Sequence, residues 1–179
     1  MNEPRIEEEA HVIVLKLVLL SLTLVAVLRT GVAWAEPLGV KAVMSPKEQI
    51  RADFPLAQPH FVLFVKREGK AAGTGVLNGA ELTEYGMHDI RPGVDGAPRG
   101  YLLAKLPSGA QAVIQWEVQA TFVPGPDGRP RLLDNGVWRF IGGTGALEGI
   151  KGAGTMHIKA VSPADREFEL TGEAVVATQ

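Results

Sequence analysis

The 179-residue chain contains no cysteine. Disulfides, thiolate catalysis, cysteine zinc sites and the lipid-bearing cysteine of a bacterial lipoprotein are therefore excluded. An excess of basic charge is missing too. The whole chain carries 18 Lys plus Arg and 20 Asp plus Glu; setting aside three basic and four acidic residues in positions 1–35 leaves 15 and 16. With no basic face to meet phosphates, nucleic acid is not an expected partner. No histidine and carboxylate spacing matches a metal site, and no motif implies a cofactor. After position 35, no stretch of ten residues shows convincing helical periodicity.

A membrane-spanning run is also lacking. The apolar stretch 17–28, broken only by Ser21 and Thr23, is short of the ~20 residues that a spanning helix needs. It is followed by Ala33-Trp34-Ala35, a small-x-small site. That is the anatomy of a secretory signal peptide, a helix cleaved after Ala35. Glu3, Glu7, Glu8 and Glu9 depart from the basic leading segment of such signals, so either the true start lies nearer Lys16 or the leader stays as an anchor. The expected location is secreted or periplasmic, with membrane contact only through an uncleaved leader.

What is present is alternation. Ala112, Ile114, Trp116, Val118, Ala120 and Phe122 face one way, against Gln111, Gln115, Glu117, Gln119 and Thr121. Phe168, Leu170, Gly172 and Ala174 oppose Glu167, Glu169, Thr171 and Glu173 in the same manner. Period two with one dry and one wet face predicts strands. The expected order is a signal peptide over 1–35, a proline-rich lead-in over 36–59 with one short strand near 40–44, and a single domain over 60–179. That domain reads as eight strands at about 60–66, 72–77, 80–90, 99–106, 111–123, 131–141, 150–161 and 166–177. Short turns such as Arg67-Glu68-Gly69-Lys70 and Asn78-Gly79 separate them. The fold class is all-β: an antiparallel up-and-down sheet of eight strands that closes into a barrel. Alternation alone also allows a sandwich.

Val137 to Ile141 leads into Gly142-Gly143-Thr144-Gly145-Ala146-Leu147-Glu148-Gly149-Ile150-Lys151-Gly152-Ala153-Gly154-Thr155. Another strand follows rather than a helix, so the glycines are not a dinucleotide fingerprint. They read as a tight bend and a sharply coiled strand. The run 138–155 resembles the signature of the allene oxide cyclase and dirigent-like barrels, above all their exported bacterial relatives. The resemblance implies an eight-stranded barrel, often trimeric in plants, whose apolar cavity confines reactive molecules. No catalytic set of either plant group maps onto this chain.

Few residues suggest chemistry. Glu84 and His88 share a strand face and are the candidate acid–base pair; adjacent Asp89 faces the other way. Trp116, Trp138 and Phe140 are candidate cavity walls, with Arg139 a polar contact. His157 falls on a wet face. Two readings stay open. In one, an exported barrel binds a small apolar molecule, with or without cyclase-, isomerase- or dirigent-like action. In the other, a non-catalytic envelope protein with a filled barrel works through contacts with other proteins, itself included.

Overall fold

A computed structural model describes residues 34–176; the expected signal helix lies outside them, save Trp34 and Ala35. The strands are β1 (Glu36–Phe54), β2 (His60–Lys70), β3 (Ala72–Thr74), β4 (Glu81–Arg91), β5 (Asp95–Gly96), β6 (Arg99–Lys105), β7 (Gln111–Pro124), β8 (Pro130–Thr144), β9 (Lys151–Ala160) and β10 (Arg166–Val175). All pairings are antiparallel, and the eight longer strands follow one another around a barrel. β10 returns to β1, from Glu36↔Ala174 to Met44↔Arg166. Closure removes the free edges along that seam and decides for a barrel over a sandwich.

Eight staves are present, but not the eight expected. The lead-in is a 19-residue strand, β1, so the barrel begins at Glu36 and not at His60. Pro46 sits at a register shift in β1, where an extra residue bends a strand without ending it. The run 72–77 contributes only the three residues of β3. Asn78-Gly79 does not join two long strands. Its amides turn back onto Gly75 and Ala71, and the Asn78 side chain accepts a hydrogen bond from the Gly73 amide.

Inside are Leu38, Val40, Met44, Leu82, Leu102, Ile114, Trp116, Trp138, Met156, Phe168 and Leu170, each at most 2 % exposed. Both indoles lie in this interior, as alternation requires. The glycines of β9 and β10 fit the seam: a Cβ at Gly154 would collide with the Thr171 carbonyl, and one at Gly172 would lie 2.8 Å from the Trp138 ring. The expected coiled strand is thus a place where two backbones and an indole share little room.

The ends of the barrel differ. At one end Leu77 and Ala80, from the turn after β3, and Leu147, from a 3-10 turn (Gly145–Leu147), are at most 1 % exposed, and Ile150 is at 4 %. They stopper that end. At the other end β1 and β2 remain paired up to Phe54↔His60, and β7 and β8 up to Pro124↔Pro130. The β9–β10 pair stops at Ala160↔Arg166. One side of the rim is therefore low.

Candidate functional site

The site grows from β2 and β4, whose register sets Arg67 opposite Glu84 and Leu63 opposite His88. Directly opposed residues share a face, and here that face is the interior. Glu84 is 0 % exposed, Arg67 4 % and His88 7 %, the buried polar or charged residues among those described. Arg67 Nη1 donates to Glu84 Oε2 at 2.8 Å. His88 Nε2 is 2.8 Å from Glu84 Oε1 and 3.1 Å from Arg67 Nη1.

Two bare lone pairs do not approach to that distance, so a proton lies between Nε2 and Oε1. With Glu84 ionised, His88 donates from Nε2 and the Arg67 contact is a close cation with no hydrogen bond to His88. In the neutral ring Nδ1 is then the acceptor, directed away from the carboxylate. A carboxylate fixing one imidazole nitrogen so that the other can take a proton is the usual arrangement of a general base.

Gly86 makes the pair possible. It lies between Glu84 and His88 on the inner face; a Cβ there would strike Glu84 Oε1 and come within 2.8 Å of His88 Nε2. Without a side chain at the middle position, residues four apart on a strand bend together across the gap.

The aromatics divide into two groups. Trp116 stands 5.9 Å from His88, ring centre to ring centre, and packs edge-on against Phe168 at 5.7 Å. Its Nε1–H has no acceptor among the described residues, and Arg67 Nε is likewise unpartnered. A buried donor left unpaired costs about 1–3 kcal/mol, and here two such donors border His88. Trp138, by contrast, is satisfied: it donates to the Thr171 carbonyl at 3.2 Å and meets Phe140 edge-on at 5.3 Å. It belongs to the core. Arg139 lies on the outer wall, donating to Gln115 Oε1 at 2.9 and 2.7 Å. The structure thus joins Glu84, His88 and Trp116 inside the barrel, and turns the Arg139 guanidinium to Gln115 outside it.

Arg67 was not among the sequence candidates, because it begins a stretch that reads as a turn. Its parity with Phe61, Leu63 and Val65 was the available signal.

Above this polar floor, on the same inner face, are half-buried Phe61, Leu63, Ile90 and Phe122. Arg166 stands at the low rim and donates to the Ser162 and Asp165 carbonyls. Desolvation lowers its pKa, and the nearby Arg67 adds to that effect. Arg51 and Asp53, opposite Leu63 and Phe61, share that face. The open end is thus a bowl with mixed apolar and charged walls above a polar floor.

Two hollows lie elsewhere. A trough of about 870 Å³ on the outer wall includes Met87, Tyr101, Val137 and three of the residues expected at a ligand, Trp116, Trp138 and Arg139. Another, of about 560 Å³, lies by the rim with His60, Asp89 and Gln119; His60 Nε2 is 2.6 Å from Asp89 Oδ1 there. His157, half-buried, lies 3.3 Å from Asp134. Among the described residues no His, Cys, Asp and Glu side chains group in a metal-holding arrangement. Comparison of the chain with protein-family models, with curated proteins and with solved structures gives no match.

Proposed function

We propose that this protein is an exported barrel that takes a small apolar molecule into the bowl above Arg67, Glu84 and His88. The observation that carries this reading is the placement of three ionisable side chains and an unpaired indole N–H in an otherwise apolar interior. Burying ions costs several kcal/mol each unless partners compensate, and a filled core of Leu and Ile would avoid that cost. Three polar groups converging beside apolar walls are what a small-molecule site needs. Export follows from the leader read over 1–35, and the likeness of 138–155 to cyclase and dirigent-like barrels agrees with an apolar ligand.

If the protein acts on its ligand, His88 Nδ1 is the atom that takes a proton, Glu84 holds the ring, and Arg67 with Trp116 Nε1–H steadies negative charge developing on an oxygen. That chemistry is an isomerisation or cyclisation needing no cofactor.

The test is direct. Natively purified protein is extracted and the extract read by mass spectrometry, while 1-aminoanthracene is titrated into the stripped protein. A retained apolar compound, or saturable probe binding that His88→Leu or Phe61→Asp weakens at least tenfold, supports the reading. Neither compound nor binding removes it.

A second reading rests on the outer wall, where Tyr85 opposes Tyr101 and both are exposed with Val137 around the larger trough. Apolar side chains gathered on one wall fit a protein-contact surface. Probe binding that Tyr101→Ser abolishes and His88→Leu spares would favour it.

A further inference from the structure

Beyond Met44, β1 parts from β10, and among the described residues its edge over Ser45–Phe54 pairs only with β2 on the other side. A free edge is a row of unpaired amides and carbonyls ready for another strand. Five residues of it, Ile50-Arg51-Ala52-Asp53-Phe54, are complementary to their own reverse: apolar, cationic, small, anionic, apolar.

Two copies of a strand related by a two-fold axis normal to the sheet pair antiparallel, with like faces together. With the axis at Ala52, Arg51 falls opposite the second copy's Asp53, and Ile50 opposite its Phe54. Moving the axis to Arg51 sets guanidinium against guanidinium, and moving it to Asp53 sets carboxylate against carboxylate. Only the Ala52 register satisfies every pair.

The side chains are available for this. Ile50 is 73 % and Phe54 43 % exposed; the side chains of Arg51 and Asp53 are 51 % and 64 % exposed. Ile50 and Phe54 lie on the outer face with Phe64 and His60. Arg51 and Asp53 lie on the inner face with Leu63 and Phe61. They pair with each other at 2.7 Å, Arg51 stands 3.7 Å above the Phe61 ring, and the two-fold register exchanges that pair for the same pair between copies. The segment stands above the low rim, so the antiparallel copy extends its barrel away from the first.

The other free edge has no such symmetry. Pro130 offers no N–H, and the Asp134 carboxylate is taken by the Ile158 amide at 2.7 Å.

We infer that two copies of this chain join edge to edge through residues 50–54 of β1, about a two-fold axis at Ala52. Five residues a side bury less than the about 1,200 Å² of standard stable complexes, so the dimer is concentration-dependent.

The chain's lack of cysteine makes the axis readable. In this register the two Ala52 Cα atoms fall about 4.5–5.5 Å apart, within disulfide reach. The full chain carrying Ala52→Cys, treated with copper phenanthroline, should form a covalent dimer at least ten times faster than Leu133→Cys, a control on the β8 edge. Sedimentation equilibrium should show Arg51→Asp as a monomer, and Arg51→Asp/Asp53→Arg as a dimer again. Equal cross-linking at 52 and 133 overturns the proposal. So does a mass that Arg51→Asp leaves unchanged, or a double variant that stays monomeric.

Discussion

The two ends of this barrel solve opposite problems. At one end the turns after β3 and β8 fold inward and stopper the barrel with Leu77, Ala80, Leu147 and Ile150. At the other, one wall rises, the β9–β10 side stays low, and the interior beneath holds Arg67, Glu84 and His88. The stoppered end contributes stability by removing apolar surface from water. The open end holds groups whose burial is costly in isolation and tolerable only in combination. Apolar closure and buried ionisable groups are thus separated along one axis of the same sheet.

The separation can be broken at the open end first. Glu84→Leu leaves the Arg67 guanidinium buried without its carboxylate, and the expected loss is about 3–5 kcal/mol in urea unfolding. Replacing both partners, Arg67→Met with Glu84→Leu, should recover most of that loss while ligand binding stays absent. A double variant as unstable as the single one would contradict the description of the pair as a costly functional insertion. At the stoppered end, Leu77→Ala should cost about 2–5 kcal/mol through cavity formation and leave probe binding at the bowl unaltered. Loss of binding there would show that the ends are coupled.

Gly86→Ala sharpens the comparison, since it keeps both Glu84 and His88 and drives a methyl group between them. Crowding a packed interior costs about 1–3 kcal/mol. The specific sign is the separation of Glu84 from His88, seen as a moved His88 ring resonance in NMR spectra that leave the His157 resonance in place.

The smallest effect concerns the low rim, where the Ser45 hydroxyl, and then that of Ser162, holds the Asp165 carboxyl below its ordinary value of 3.8. A depressed folded pKa gives stability that is complete above the unfolded value and is lost as pH falls through the folded one. Hydrogen exchange in the β9–β10 turn should therefore quicken only below about pH 4, and Ser45→Ala should weaken that dependence, leaving the part due to Ser162.

Much of the barrel was legible because a dry and a wet face alternate in β7, β9 and β10, and because the turns between them are short. The first stave was hidden for a physical reason. From Glu48 to Phe54, β1 is exposed on both faces, so no alternation marks it, and Pro37, Pro46, Pro55 and Pro59 look like breakers. Their places are a strand start, a bulge and the two sides of a turn. Residues 72–77 misled in the reverse sense: Val76 and Leu77 are apolar because they close an end, not because they line a strand. At the site, Glu84 and His88 were visible from their spacing. Arg67 was not, since a lone cation before Glu68-Gly69-Lys70 reads as turn chemistry until its partner strand is known. Arg139 stands one step of the pleat from Trp138 and Phe140, and that step puts its side chain on the outer face.

The short turn Ser162-Pro163-Ala164-Asp165 sets the height of one side of the bowl, and it supplies none of the three side chains of the floor. Threading a few more residues into that bend would raise a parapet over the opening and narrow what passes, while the groups beneath kept their geometry. The height of the opening and the make-up of the floor are set by different stretches of chain in this architecture.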